Sequence, residues 1–218
     1  MSDAADRLHA IRGQIASAAR LARRDPSDVT LVAVSKTRSA TEIEALIDAG
    51  QRDFGESRVQ EALAKWPDLL ARHPDARLHC IGRLQSNKAA EAVRLFDVIQ
   101  SVDRISLLDA LVVASERAQR RPQIYVQVNI GEEDQKGGCG LSEVRELVEA
   151  VRASPLMLAG LMAIPPLGPE PAPYFALLTD IARRHDVSGS SIGMSQDFPS
   201  AVMLGATLVR VGTALFEG

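Results

Sequence analysis

Two hydrophobic rhythms replace one another along this chain: short apolar runs of strand length, and longer stretches whose apolar residues recur every three or four positions, as on one helix face. The first helix is read over residues 4–22, where Leu8, Ile11, Ile15, Ala18 and Leu21 keep helical spacing. The run TLVAVSKT at 30–37 follows, and five of the six residues before Lys36 are small or β-branched. Such a run suits a strand buried on both faces, as in a parallel sheet. Thr41 and Glu44 have the spacing of a capping box and open a short helix with Ile43, Leu46 and Ile47 inward, which Gly50 stops. Residues 52–56 read as a second strand. Ser57 and Gln60 repeat the capping pattern before a helix with Val59, Leu63, Trp66 and Leu70 on one face.

The alternation continues. Strands are read at 78–82, 97–102, 124–129, 158–164, 190–193 and 207–211. Between them lie a helix from Ser86 with Ala89, Val93 and Phe96 inward, one over 104–120 with Ile105, Leu108, Leu111 and Val112 together, and one carrying Leu141, Val144, Leu147, Val148 and Val151. A further helix carries Tyr174, Leu177, Leu178 and Ile181. A short one from Phe198 is expected to be capped by Asp197. The proline-rich stretch 165–173 is too short for an interdomain linker and reads as a rigid loop. Eight strands alternating with helices predict an α/β fold, a single (β/α)8 TIM barrel over 1–218, with an open doubly wound sheet as the competing arrangement. The N-terminal helix is extra to the repeat and is expected to fill the gap left where no full helix follows the eighth strand.

The 218 residues carry a formal charge of -3 with acids and bases interspersed. No basic field gathers nucleic acid, and no polybasic run marks a membrane surface. Met1 leads into a polar segment without an apolar h-region, and no apolar run approaches membrane-spanning length, so a cytoplasmic protein is expected. Cys80 and Cys139 have no paired spacing and are expected as free thiols; the four histidines show no metal-ligand spacing, and no metal site is expected. The glycine-rich segment 131–140 lacks the spacings of nucleotide loops.

Candidate chemistry begins at Lys36, at the C-terminal end of the first strand. Ligands bind at that end in α/β folds, and a lysine with its stem in an apolar site is a Schiff-base candidate. Phosphate commonly binds at the loops after strands seven and eight of a barrel. There, Ser191, Gly193 and Ser195 supply hydroxyls and a glycine before a helix, and Arg210, Gly212 and Thr213 supply an arginine, another glycine and another hydroxyl. A lysine at one strand end and a phosphate cradle at two others point to a phosphorylated carbonyl compound. Pyridoxal phosphate and a phosphosugar both qualify. His79 and Asn129 lie at or near strand ends facing the same region.

The segments AVSKT (33–37), FGES (54–57), HCIGRLQSNK (79–88), GLMAI (160–164), SIGMSQD (191–197) and VRVGTALF (209–216), in this order, closely resemble the pyridoxal phosphate homeostasis proteins (the YggS/PROSC family) from the first helix almost to the end. The resemblance implies a barrel like the N-terminal domain of alanine racemase, with pyridoxal 5'-phosphate held as an internal aldimine on Lys36. It further implies that Ser191, Gly193 and Ser195 form the phosphate loop, that Gly212 and Thr213 make the second phosphate contact, and that Arg210 faces the pyridine nitrogen. The family usually has asparagine where this chain has Ser57, and Glu217 interrupts its usual run of phenylalanine into glycine. The implied role is pyridoxal phosphate buffering, or delivery to apo-enzymes that require it, by a monomer without substrate turnover. The alternatives are a racemase-like enzyme using the same cofactor and a Schiff-base aldolase acting on a phosphosugar.

Overall fold

Eight parallel strands close a barrel in strict sequence order. The structure is a computed structural model that describes residues 3–168 and 170–217. The strands are β1 (Thr30–Val34), β2 (Asp53–Glu56), β3 (Arg77–Cys80), β4 (Val98–Val102), β5 (Gln123–Val128), β6 (Met157–Ala163), β7 (Ser190–Ser191) and β8 (Leu208–Val211). The barrel closes where β8 meets β1, with Thr30 opposite Leu208 and Val32 opposite Arg210. Closure excludes the open sheet.

The helices are α1 (Asp3–Leu21), α2 (Ala40–Asp48), α3 (Val59–Arg72), α4 (Ala89–Leu95), α5 (Ile105–Ala118), α6 (Val144–Ala153), α7 (Ala172–Arg184), α8 (Phe198–Met203) and α9 (Thr213–Phe216). The last has only four residues. Helix α1 fills the gap it leaves, packing on α8 and α9. Arg7 Nε donates to the Leu215 carbonyl at 2.8 Å and Arg24 Nη1 to the Val202 carbonyl at 2.6 Å. Among the described residues no helix is long and apolar enough to cross a membrane.

Alternate residues of β1, β4, β5, β6 and β8 enter two separate cores. Leu31, Ala33, Phe54, Leu78, Ile99, Val126 and Val209 face the helices. Val32, Val98, Tyr125, Met162 and Leu208 form a small cluster inside the barrel. With both faces covered, the period-two signal of a half-exposed strand disappears.

Local geometry departs from the sequence reading at several points. The cap of α2 is Ser39, in a capping box with Glu42, whereas Glu44 pairs with Arg72. Ser57 does not cap α3, whose first flanking residue is Arg58. The buried stripe of α3 is Val59, Ala62, Trp66 and Leu69, leaving Leu63 exposed. On α5, Leu107 takes the inward place expected for Ile105. These shifts turn the helix face by one position on α3 and replace one inward residue on α5, within the width of the apolar arc.

Candidate functional site

Strand β1 delivers Lys36 to the C-terminal mouth. The turn from Ser35 to Arg38 is closed by the Arg38 N–H donating to the Ser35 carbonyl at 3.0 Å, and Thr37 holds φ +64°. A β-branched residue rarely adopts that left-handed conformation. Beneath the turn lies a buried cluster. Glu56 Oε1 accepts from Ser35 Oγ at 2.7 Å and from Trp66 Nε1 at 2.9 Å, and meets Lys65 Nζ at 2.7 Å. Lys65 Nζ also donates to the carbonyls of Ser35 at 2.9 Å and Arg38 at 3.2 Å, one on each side of the turn. Lys36 itself is exposed, and no partner for its amine is found among the described residues.

Arg210 lies deeper, on β8 beside β1, and is 4% exposed. Its Nη1 donates to the Ser191 carbonyl at 2.9 Å and to Ser191 Oγ at 2.5 Å, and Nη2 donates to the Ala163 carbonyl at 2.9 Å. Three of its five N–H donors are engaged this way, all with neutral acceptors. Burial pushes the guanidinium down to about 10, opposed in part by the Asp197 carboxylate.

From Arg210 a hydrogen-bonded chain crosses the barrel interior. Ser191 Oγ donates to Gln100 Oε1 at 2.6 Å; Gln100 Nε2 meets His79 Nδ1 at 2.9 Å, and His79 Nε2 meets Asp53 Oδ1 at 2.9 Å. The directions follow from the ends. The Ser191 hydroxyl accepts from Arg210 and so gives its proton to the Gln100 oxygen, which turns the amide nitrogen toward Nδ1. The imidazole proton is thereby assigned to Nε2, facing the Asp53 carboxylate.

The loops after β7 and β8 adjoin at the mouth. Gly193 has φ +100°, and a Cβ there would lie 2.5 Å from that of Ala201, so only glycine fits. Asp197 Oδ1 accepts from the Met194 N–H at 2.6 Å and makes no side-chain cap to α8, contrary to the sequence expectation. The Gly212 N–H donates to Ser195 Oγ at 3.2 Å, tying the two loops together. The amide N–H groups of Ser195, Gln196 and Thr213 carry no acceptor among the described residues. Free amides beside two hydroxyls, a half-free guanidinium below and an unpartnered lysine at the neighbouring strand end are a donor set that fits a phosphorylated aldehyde with a ring nitrogen. An open cleft of about 580 Å³ adjoins the site, lined by Pro165, Pro166, Met194, Ser195, Gln196 and Asp197.

The remaining sequence candidates occupy other places. Ser191 and His79 lie inside the barrel with their polar atoms engaged in the chain to Asp53. Asn129 closes the loop after β5: its Nδ2 donates to the Glu133 carbonyl at 2.9 Å and its Oδ1 accepts from the Glu133 N–H at 3.2 Å. Ser57 is half-buried at the end of β2, next to the Lys36 turn, and its backbone abuts Gly82, where a Cβ would lie 2.1 Å from the Ser57 carbonyl oxygen. Glu217 pairs with Arg38, whose guanidinium lies 5.3 Å from the Phe216 ring centroid, so this departure from the family pattern braces the far side of the Lys36 turn. Sequence reasoning passes over Glu56, Lys65 and Gln100. A lone glutamine inside VIQSV and a glutamate ending a strand whose neighbours are buried are the available signals.

The comparisons with known proteins converge on one family. The family model described as the alanine racemase N-terminal domain matches residues 7–218. A pyridoxal phosphate homeostasis protein of Escherichia coli strain K12 is 38% identical over 233 aligned positions, covering 99% of this chain and 97% of the relative. Its counterpart in Pseudomonas aeruginosa is 41% identical over 228 positions, covering 99% and 96%. The chain belongs to the pyridoxal phosphate homeostasis protein family. The solved structure of PipY from Synechococcus elongatus with pyridoxal phosphate bound superposes with a TM-score of 0.84 at 38% identity, covering 98% of this chain and 100% of PipY. The likeness spans the whole barrel, so the mouth of this barrel has a counterpart in a protein that holds the cofactor.

Proposed function

We propose that this chain binds pyridoxal 5'-phosphate covalently through Lys36 and serves to hold and hand on the cofactor without turning over a substrate. The observation that carries the reading is the placement of an exposed, unpartnered Lys36 at the barrel mouth, on the strand adjoining the one that bears Arg210 and the Gly212–Thr213 loop. When bound, the cofactor would supply an aldehyde, and the Lys36 amine is the group placed to react with it. Ser195, Thr213, Gly193 and Gly212 with their neighbouring amides hold the phosphate, and Ser57 borders the other side of the lysine.

Arg210 supports the absence of turnover. With the cofactor bound, a buried guanidinium facing the ring nitrogen would oppose protonation there, and the ring would withdraw electrons weakly. Racemisation also needs acid–base groups on both faces of the substrate carbon. Tyr125 is 8% exposed, belongs to the inner barrel cluster and is pushed up by burial, while Tyr174 packs against the outer core. The Ser191 hydroxyl and the His79 ring serve Arg210 in this reading and do not touch the phosphate. Apo-enzymes that require pyridoxal phosphate are the recipients, and the open mouth of a cytoplasmic monomer gives them access.

The test is the visible spectrum of the protein with added pyridoxal phosphate, followed by borohydride reduction and peptide mass spectrometry. A pyridoxyl group on Lys36, with the absorbance lost in Lys36→Ala, is expected. Absence of any chromophore would leave the phosphosugar aldolase; racemisation of a chiral amino acid would replace holding with catalysis.

A further inference from the structure

The turn that presents Lys36 is held in a conformation its sequence disfavours. Thr37, at φ +64°, occupies the third position of the Ser35–Arg38 turn, where glycine or asparagine is the usual choice. Such strain persists only where the surroundings over-determine it. Arg38 is braced on the far side by Glu217, and from below a single ammonium spans the turn: Lys65 Nζ, reaching from α3, bonds the carbonyls of Ser35 and Arg38 at 2.9 and 3.2 Å. Its counter-ion, Glu56, is fully buried and also takes the Ser35 hydroxyl and the Trp66 indole N–H. One atom, Glu56 Oε1, thus receives all three donors, while Oε2 has no partner among the described residues. A carboxylate bound so one-sidedly in the barrel wall stabilises the fold poorly but fixes the ammonium in place.

We propose that Lys65 is a positioning residue for Lys36, clamping the strained turn so that the Lys36 amine stands at the barrel mouth. This rests on the reading of Lys36 as the cofactor lysine. Lys65 Nζ bonds only Glu56 and the backbone carbonyls of Ser35 and Arg38, so it acts through the two ends of the turn.

Lys65→Met alone would strand the Glu56 charge, so the test uses Lys65→Met with Glu56→Gln, which removes both charges and keeps an oxygen for Ser35 and Trp66. The readouts are pyridoxal phosphate affinity by absorbance titration, borohydride-trapped pyridoxyl at Lys36, and the thermal midpoint without cofactor. The double variant is expected to bind about tenfold more weakly or worse, as small misplacements of a reacting group do, and to trap less label. Lys65→Arg is expected to keep near wild-type binding. Adding Thr37→Gly to the double variant removes the strain and is expected to recover binding without changing the charge pattern, a rescue that a merely structural Lys65 does not predict. Wild-type affinity and trapping in the double variant, or no recovery with Thr37→Gly, overturns the inference. Should the double variant fail to fold, Lys65→Gln with Glu56→Gln, whose shorter, uncharged amide carries two N–H donors in place of the ammonium's three, is read by the same criteria. No label on wild-type Lys36 sinks the functional reading itself, and the positioning role falls with it.

Discussion

Arg210 and Ser191 are joined twice from one guanidinium nitrogen: Nη1 reaches both the carbonyl oxygen and the hydroxyl of Ser191, at 2.9 and 2.5 Å. The serine can then only donate onward, to Gln100, and every later link to Asp53 inherits that direction. The interior of this barrel is therefore an ordered polar wire beside a small apolar cluster. Each member is buried or nearly so, and each loss leaves a neighbour without its partner.

Gln100→Leu is expected to strand the Ser191 hydroxyl and His79 Nδ1, at a cost of about 2 to 4 kcal/mol in urea unfolding. Adding His79→Phe removes one of the stranded atoms, so the double variant should lose less than the sum of the single variants. A double-mutant cycle measures the difference, and strict additivity would show that the wire is not a unit.

Arg210→Met tests a buried cation that has no carboxylate partner. Without cofactor, relief of desolvation opposes the loss of three hydrogen bonds, and stability should change by no more than about 2 kcal/mol. Affinity for pyridoxal phosphate should fall about ten- to a hundredfold, one charge-assisted hydrogen bond's worth, with a shifted absorption maximum. An unchanged titration and spectrum would remove Arg210 from the site.

Gly193→Ala combines a positive φ with a Cβ contact of 2.5 Å. A loss of about 2 to 4 kcal/mol is expected. Gly168 has a similar φ of +99° with nothing within 4 Å of where an added methyl would stand, and its alanine variant should lose only about 1 to 2 kcal/mol. Equal losses in the two urea titrations would mean that packing against Ala201 contributes nothing.

The thiols set an alkaline limit. Burial pushes Cys80 and Cys139 up from their ordinary 9.0 to about 12, so the unfolded chain ionises first. As pH rises between those values the unfolded state binds fewer protons than the folded one. Stability therefore falls, by up to about 1.4 kcal/mol per pH unit for each thiol. Arg210 acts in the opposite sense above about 10, because its folded form sheds its proton first. Cys80→Ala should remove one thiol's share of the alkaline decline, read as urea midpoints at about pH 8 and 10.5 against wild type. An identical decline in the variant would place the thiol in contact with water.

The fold was legible because every strand is buried on both sides and every helix buries one face, so apolar runs and three-to-four spacing alternate without ambiguity. Single polar roles were not. Ser39 and Thr41 both stand at the start of α2, each with a glutamate three residues on, and only backbone geometry selects Ser39. Ser191 falls on the expected phosphate loop, yet its side chain turns inward, toward Arg210 on the adjoining strand and Gln100 across the barrel, partners 19 and 91 residues away in sequence. Lys65 falls between the apolar positions of α3 and drew no reading from the sequence. Its tie to a carbonyl 30 residues earlier has no local signature.

The closing contacts also constrain how the chain reaches its shape. Strand β1 bonds to β8, and α1 packs on α8 and α9, so residues 3–34 lack part of their native partners until residues 198–216 have left the ribosome. Long-range closure of this kind is slow and leaves apolar surface open meanwhile. During synthesis, the amphipathic face of α1 therefore stays uncovered until α8 and α9 emerge, and the barrel closes only after β8 is available to β1.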